Sequence, residues 1–284
     1  MTRESKISLS NKILILTLLL FALYSIDFLG FSFNSVATIH PGSYLFMALL
    51  DTLILSYAIL NADKTGWVLI LSIFSIFYGL KTFLVGIETA YLTNILSWTL
   101  TQILLINGAL SAGIFSIMSV ILLGRIENSP EILEKSFKEY FNFQNIVNIF
   151  GRILISGGVW VLLFIIFGGF VFQNIAYFFN STLTAQYLHD FGQITPIYVI
   201  FFQFIRGILW TVLALPVIYV MGGGIFKKAL ITGLLFSILM STNLLIPTIL
   251  PFNIQFAHFI DVFISNFIFG LILVFIFLFK RSEG

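Results

Sequence analysis

Six ionisable side chains stand inside otherwise apolar stretches of this chain: Asp27, Asp51, Lys81, Arg206, His258 and Asp261. A charge surrounded by hydrocarbon costs several kcal/mol, so each is expected to face other protein groups and find a partner there. Two of the stretches place polar side chains at helical spacing. Gln203, Arg206 and Trp210 fall at i, i+3 and i+7, and His258, Asp261 and Ser265 repeat that pattern with Asn266 next in line. Each set therefore lies on one face of a helix.

A guanidinium presents a planar fork of donors that matches a carboxylate or a phosphate. Arg206 is thus the expected anion clamp, with Gln203, Asp51, Asp27, Lys81, His258, Asp261 and Asn266 as the other expected ligand-binding residues. The three aspartates outnumber Lys81 and Arg206 by one, an imbalance that one proton on a carboxylate or on His258 removes. The expected pairing sets Arg206 against Asp261 or Asp51, and Lys81 against Asp27.

Three kinds of function follow from such a cluster. The first is a pocket, open on one side of a membrane, that binds or transports a small anionic or lipid-linked ligand. The second is an intramembrane enzyme using His258 and Asp261 as an acid/base pair or as ligands of a divalent ion, with Asp51 completing the site. The third is a scaffold subunit whose ion pairs only fix helix register. H-x-x-D supplies only two metal ligands, and H-E-x-x-H, G-x-S-x-G and G-x-G-D are all absent, so no metal is assigned and no cofactor is identified. Zero cysteines rule out disulfides, thiolate nucleophiles and cysteine-bound clusters.

The elements that must carry these groups follow from composition. Of 284 residues, 59% are hydrophobic and 9% charged, and the mean hydropathy is +1.07. A soluble domain carries about 25% charged residues, and disorder requires low hydrophobicity. The fold class is therefore an all-α polytopic transmembrane bundle whose main partner is the lipid bilayer. A net charge of +2 offers no basic track for nucleic acid.

A crossing helix needs about 20 mostly apolar residues. Eight runs qualify, over residues 13–30, 43–60, 66–86, 97–124, 153–172, 197–221, 229–250 and 254–279. With eight crossings and the first terminus inside, every Lys and Arg except Lys81 and Arg206 falls on the cytoplasmic side and none in the outer loops. Both termini are then cytoplasmic and the membrane is a cell membrane, plasma or inner. The run after Arg3, Lys6 and Lys12 lacks a small-x-small cleavage site and reads as a retained anchor.

Counted from the outer end of each run, the depths are about 5 Å for Asp27, 12 Å for Asp51, 8 Å for Lys81, 14 Å for Arg206, 6 Å for His258 and 10 Å for Asp261. All six lie in the outer half.

Between the fourth and fifth runs, Ser129, Pro130 and Glu131 open a helix at about residues 130–148. Leu133, Phe137, Tyr140 and Phe141, with Val147, give it an apolar face suited to the cytoplasmic lipid boundary. Residues 173–196 mix aromatics with amides, as a headgroup-level loop or a short capping helix does. Gly233, Ser237 and Ser241 form a small-residue stripe for close helix contact, as do Gly108 with Ala112 or Ala109 with Gly113. Pro216 removes the donor for the Val212 carbonyl and should bend its helix, and Gly222, Gly223 and Gly224 should end it. The cysteine-free background allows a direct test of orientation. A cysteine at Thr184 is expected to react with a membrane-impermeant maleimide added outside intact cells, and one at Lys138 to react only after permeabilisation. The reverse pattern inverts the topology.

Overall fold

Apolar runs punctuated by short polar turns can satisfy their backbone in lipid only as helices, because each N–H then bonds within its own segment. The computed structural model describes residues 8–32, 41–88, 97–127, 143–168, 196–246 and 252–279. Its elements are α1 (Leu9–Ser32), α2 (Pro41–Leu60), α3 (Gly66–Glu88), α4 (Trp98–Leu122), α5 (Phe143–Ile166), α6 (Pro196–Val220), α7 (Ile225–Ser241) and α8 (Phe252–Leu278). A π turn at Gly79–Phe83 interrupts α3, and a 3-10 turn at Thr242–Leu245 prolongs α7. Among the described residues there is no strand, and one isolated antiparallel bridge joins Ala62 to Met221.

Seven of the described helices, α2 to α8, are long and apolar enough to cross a membrane. The first helix is apolar over Leu9–Ser25, a shorter stretch. Large apolar side chains such as Leu14, Trp67, Leu71, Ile106, Phe150, Leu162 and Phe201 point outward. An apolar exterior on this scale is what a bundle solvated by lipid presents.

Helix boundaries differ from the sequence expectation where charge was read as an edge. Helix α5 begins at Phe143 and runs through Arg152 without a break. Arg152 does not end the helix because its Nη1 donates to the Phe277 carbonyl at 2.7 Å, capping the last turn of α8. Residues 143–148, expected in a separate interfacial helix, therefore belong to α5. The remainder of that expected helix lies outside the described residues, as do residues 173–195. Helix α3 continues two residues past Gly86 to Glu88.

The helices contact one another in a closed circuit, α1–α2–α7–α8–α5–α6–α3–α4 and back to α1. Helices α2, α3 and α7 bury at least half of their crossing segments, and the π turn of α3 also touches α6 and α7. Close approach depends on absent side chains. A Cβ on Gly270 would lie 2.8 Å from both the Gly233 Cα and the Thr232 carbonyl oxygen. A Cβ on Gly207 would lie 2.6 Å from Trp160 Cβ and 3.1 Å from Gly157 Cα. The stripe noted in the sequence is thus the α7–α8 seam, where Ser237 also donates to the Phe263 carbonyl at 2.7 Å. Pro216 sits inside α6, and the neighbouring Leu213 carbonyl accepts from Ser75 of α3 at 2.9 Å. A proline-disturbed turn is commonly satisfied this way in lipid.

At one end the connections are latched together. Asp63 N–H donates to Val220 O at 2.8 Å, Gly222 N–H to Asn61 O at 2.8 Å, and Gly66 N–H to Arg125 O at 2.8 Å. The Arg125 guanidinium donates to Ala62 O. Gly223 takes φ 91°, a left-handed conformation that lets α6 end and α7 begin within four residues. We expect Gly270→Val to destabilise the folded protein by about 3 kcal/mol, the upper range for overpacking. Gly158→Ala, with nothing within 4 Å of the new Cβ, is expected to leave thermal melting in detergent unchanged or slightly raised. Equal melting of the two variants would contradict backbone contact at the α7–α8 seam.

Candidate functional site

Helical side chains lean toward the N-terminus of their own helix. Helix α2 starts at the end remote from the latched connections and α3 starts at the latched end, so Asp51 and Lys81 lean toward each other. Lys81 Nζ lies 2.9 Å from Asp51 Oδ2, with side-chain exposures of 5% and 0%. Two further helices complete this centre. Tyr24 of α1 donates its hydroxyl to Asp51 Oδ2 at 2.7 Å, and Thr242, following α7, donates to Asp51 Oδ1 at 2.8 Å. Lys81 Nζ also donates to Thr242 Oγ1 at 2.6 Å and lies 5.6 Å from the Tyr24 ring centroid. Asn243 Nδ2 donates to the Lys81 carbonyl at 3.3 Å, meeting backbone that the π turn leaves irregular.

A second centre forms around Arg206 of α6. Its Nη1 pairs with Glu88 Oε1, at the end of α3. The guanidinium carbon sits 4.2 Å from the Trp210 ring centroid and 5.6 Å from that of Trp160. Gln203, buried one turn away, accepts from Trp160 Nε1 at 2.8 Å. On α8, His258 Nδ1 approaches Asp261 Oδ2 to 3.7 Å, and the Asp261 carboxylate contributes to the field at Arg206. On the latched-end side, Trp160, Trp210, Phe236 and Phe269 close the floor, with Trp160 and Trp210 centroids 4.4 Å apart and Phe236 and Phe269 centroids 5.5 Å apart.

The pairing expected from sequence needs correction. Arg206 pairs with Glu88, not with Asp51, whose two oxygens are taken by Lys81, Tyr24 and Thr242. Asp261 lies within electrostatic reach of Arg206 without replacing Glu88 as its hydrogen-bond partner. Lys81 takes Asp51 as its carboxylate, and the side chain of Asp27 lies outside the described residues. Asn266 bonds its own helix, Nδ2 to Val262 O at 2.8 Å, while its Oδ1 is buried without a partner.

Glu88, Thr242, Tyr24 and Trp160 were not singled out in the sequence. Glu88 stands two residues beyond the expected end of its run, but it is seven residues from Lys81, a spacing that keeps both near one helix face. That spacing was the available signal. Thr242 and Tyr24 carry no such mark, because an uncharged hydroxyl in an apolar run is common.

Among the described residues, no group of three or more His, Asp or Glu is arranged to hold a metal ion. No family model, curated protein or solved structure matches the chain.

Breaking a buried ion pair strands the remaining charge, at a cost of about 3–5 kcal/mol. Asp51→Asn and Lys81→Met are each expected to lower stability by about that amount, and the double variant to recover at least half of the loss. Additive losses in a double-mutant cycle of detergent unfolding would show that the two side chains act independently.

Proposed function

We propose that this chain is a multi-pass protein of the plasma or inner membrane, crossing eight times with both termini cytoplasmic, and that it binds or transports a small anionic or lipid-linked ligand at Arg206. The observation that carries the reading is a pair of buried donors without an acceptor, Arg206 Nε and Trp210 Nε1, on groups stacked against each other. Buried donors are nearly always bonded in folded proteins, and an anion's oxygens are the acceptors these two lack.

The setting supports a ligand arriving from one side. Arg206 and Glu88 are 12% and 24% exposed, and the nearby His258 is 42% exposed, whereas the floor is aromatic and tightly packed. The aromatic floor directly beneath Arg206 disfavours an open ion channel through this site. Ile205 and Phe201 of the same helix face outward, which gives an apolar tail a place beside the headgroup site. The orientation rests on the distribution of Lys and Arg along the chain.

Glu88 and Asp261 together outnumber Arg206, so an incoming anion must compete with the Glu88 carboxylate for the guanidinium. Competition of this kind makes binding reversible and gives a carrier a resting state in which Arg206 is never left unpaired. A second reading, an enzyme using His258 and Asp261 as acid and base, draws on their 3.7 Å approach and on the exposure of His258.

The test is the melting temperature of purified protein titrated with inorganic phosphate, citrate or phosphatidylglycerol in mixed micelles. At least one anion is expected to raise melting of the wild type. That shift should vanish in Arg206→Ala, persist in part in Arg206→Lys and grow in Glu88→Gln. No shift with any anion, or an equal shift in Arg206→Ala, would remove the anion-site reading. Stoichiometric zinc lost on His258→Ala would favour the enzyme instead.

A further inference from the structure

Among the described residues, five buried hydroxyls have no hydrogen-bond partner: Thr17 of α1, Thr52 and Ser56 of α2, Ser116 of α4 and Thr232 of α7. Other buried hydroxyls in the bundle are bonded. Ser72, Ser156, Thr211 and Ser265 each return the hydroxyl to the carbonyl four residues back, at 2.7–2.8 Å, the usual resort of a hydroxyl in a lipid-embedded helix.

The five also fall within about 6 Å of one another in height. Counted by helical rise from the latched end, Thr17 and Thr52 stand at about 12 Å, Thr232 at about 10 Å, Ser116 at about 9 Å and Ser56 at about 6 Å, while Asp51 stands at about 14 Å. Thr52 adjoins Asp51 in the chain. Thr17 is seven residues before Tyr24 on α1, hence near the face whose phenol holds the Asp51 carboxylate. Helices α1, α2 and α4 contact one another, and α2 contacts α7.

A hydroxyl sealed in a dry core loses its hydrogen bonds to water with nothing in return. One such group is tolerable, but five within about 6 Å of height, on helices that all pack against α2 or belong to it, on the latched-end side of a buried ion pair, point to a polar space. Water is the ligand that fits such a space, because each molecule needs two to four polar partners and can use both the donor and the acceptor capacity of a hydroxyl. We propose that these five hydroxyls hold a file of internal water molecules that solvates the Asp51–Lys81 pair from the latched end. The groups known to face Asp51 are Lys81 from α3, Tyr24 from α1 and Thr242 after α7, and α4 contributes no ionisable residue between Trp98 and Leu122. The pair is therefore closed by protein on the side of Thr242 and hydrated on the other. This inference is independent of the ligand assigned to Arg206.

X-ray radiolytic labelling of the full chain in lipid nanodiscs reads internal water directly, because radicals formed from bound water oxidise the nearest side chains. Leu16, Leu55 and Phe115 are fully buried, and each is the chain neighbour of one of the hydroxyls Thr17, Ser56 and Ser116. Each is expected to oxidise several-fold faster than an equally buried residue of its own type, Leu273 for Leu16 and Leu55 and Phe269 for Phe115. The excess should fall to the control rate in the near-isosteric double variant Thr52→Val/Ser56→Ala. Oxidation of Leu16, Leu55 and Phe115 at the control rate in the wild type overturns the proposal, as does an excess that survives unchanged in the double variant.

Discussion

A full charge removed from water must be met by protein, and in this bundle that requirement is met most completely at Asp51. Its carboxylate receives an ammonium from α3, a phenol from α1 and a hydroxyl from the end of α7. Four helices are thereby held in one register by groups that cannot separate without stranding a charge in a medium that does not solvate it. Apolar packing alone would not do this. Lipid tails are as apolar as leucine, so sliding one helix along another exposes nothing that lipid resents. The ion pair supplies the directional term, and close glycine contacts let the backbones come near enough for it to form.

Those contacts and that pair are linked through α3. A Cβ on Gly79, the first residue of the π turn, would lie 2.7 Å from Leu213 Cδ1, so the turn is pressed against α6. On the other side, a Cβ on Gly108 of α4 would run into Thr82. Lys81 lies between these two tight contacts, in the widened turn itself. A π turn inserts one extra residue per turn and rotates everything after it relative to an unbroken helix. Both the direction of Lys81 and the face on which Glu88 emerges therefore depend on that local irregularity.

How far the sequence reaches can be judged from individual residues. Composition and apolar runs point to an all-helical chain with helices of crossing length, because 20 apolar residues have few other uses. Gly233, Ser237 and Ser241 were legible as a seam, since small residues at four-residue spacing have one common purpose in lipid. Lys81, Arg206 and Asp51 were legible as groups needing partners. Which partner each takes was not, because pairing depends on helix order and rotation, and the rotation of α3 is set by a π turn that no composition rule marks. Glu88 escaped notice because a glutamate at the end of an apolar run usually means solvent. Arg152 was read as the edge of a span that followed a separate interfacial helix, whereas residues 143–166 form one helix and Arg152 uses its charge on the carbonyl end of α8.

Lys81 and Glu88 hang from the same helix, and this joins the two ionic centres mechanically. Seven residues along a helix span about 10 Å, so a rigid displacement of α3 that draws Glu88 away from Arg206 also bears on the contact between Lys81 and Asp51. The two pairs have unlike settings. Asp51 and Lys81 are buried and held by α1, α2, α3 and the end of α7, whereas Glu88 and Arg206 are partly open and Arg206 retains an unsatisfied donor. The buried pair resists movement and the open pair invites a competitor. A ligand that engages Arg206 must therefore either displace Glu88 alone, by a side-chain rotation at the helix end, or work against the whole register held at Asp51. The side-chain route leaves every buried charge in the bundle core paired throughout, which makes it the less costly way for this site to fill and empty.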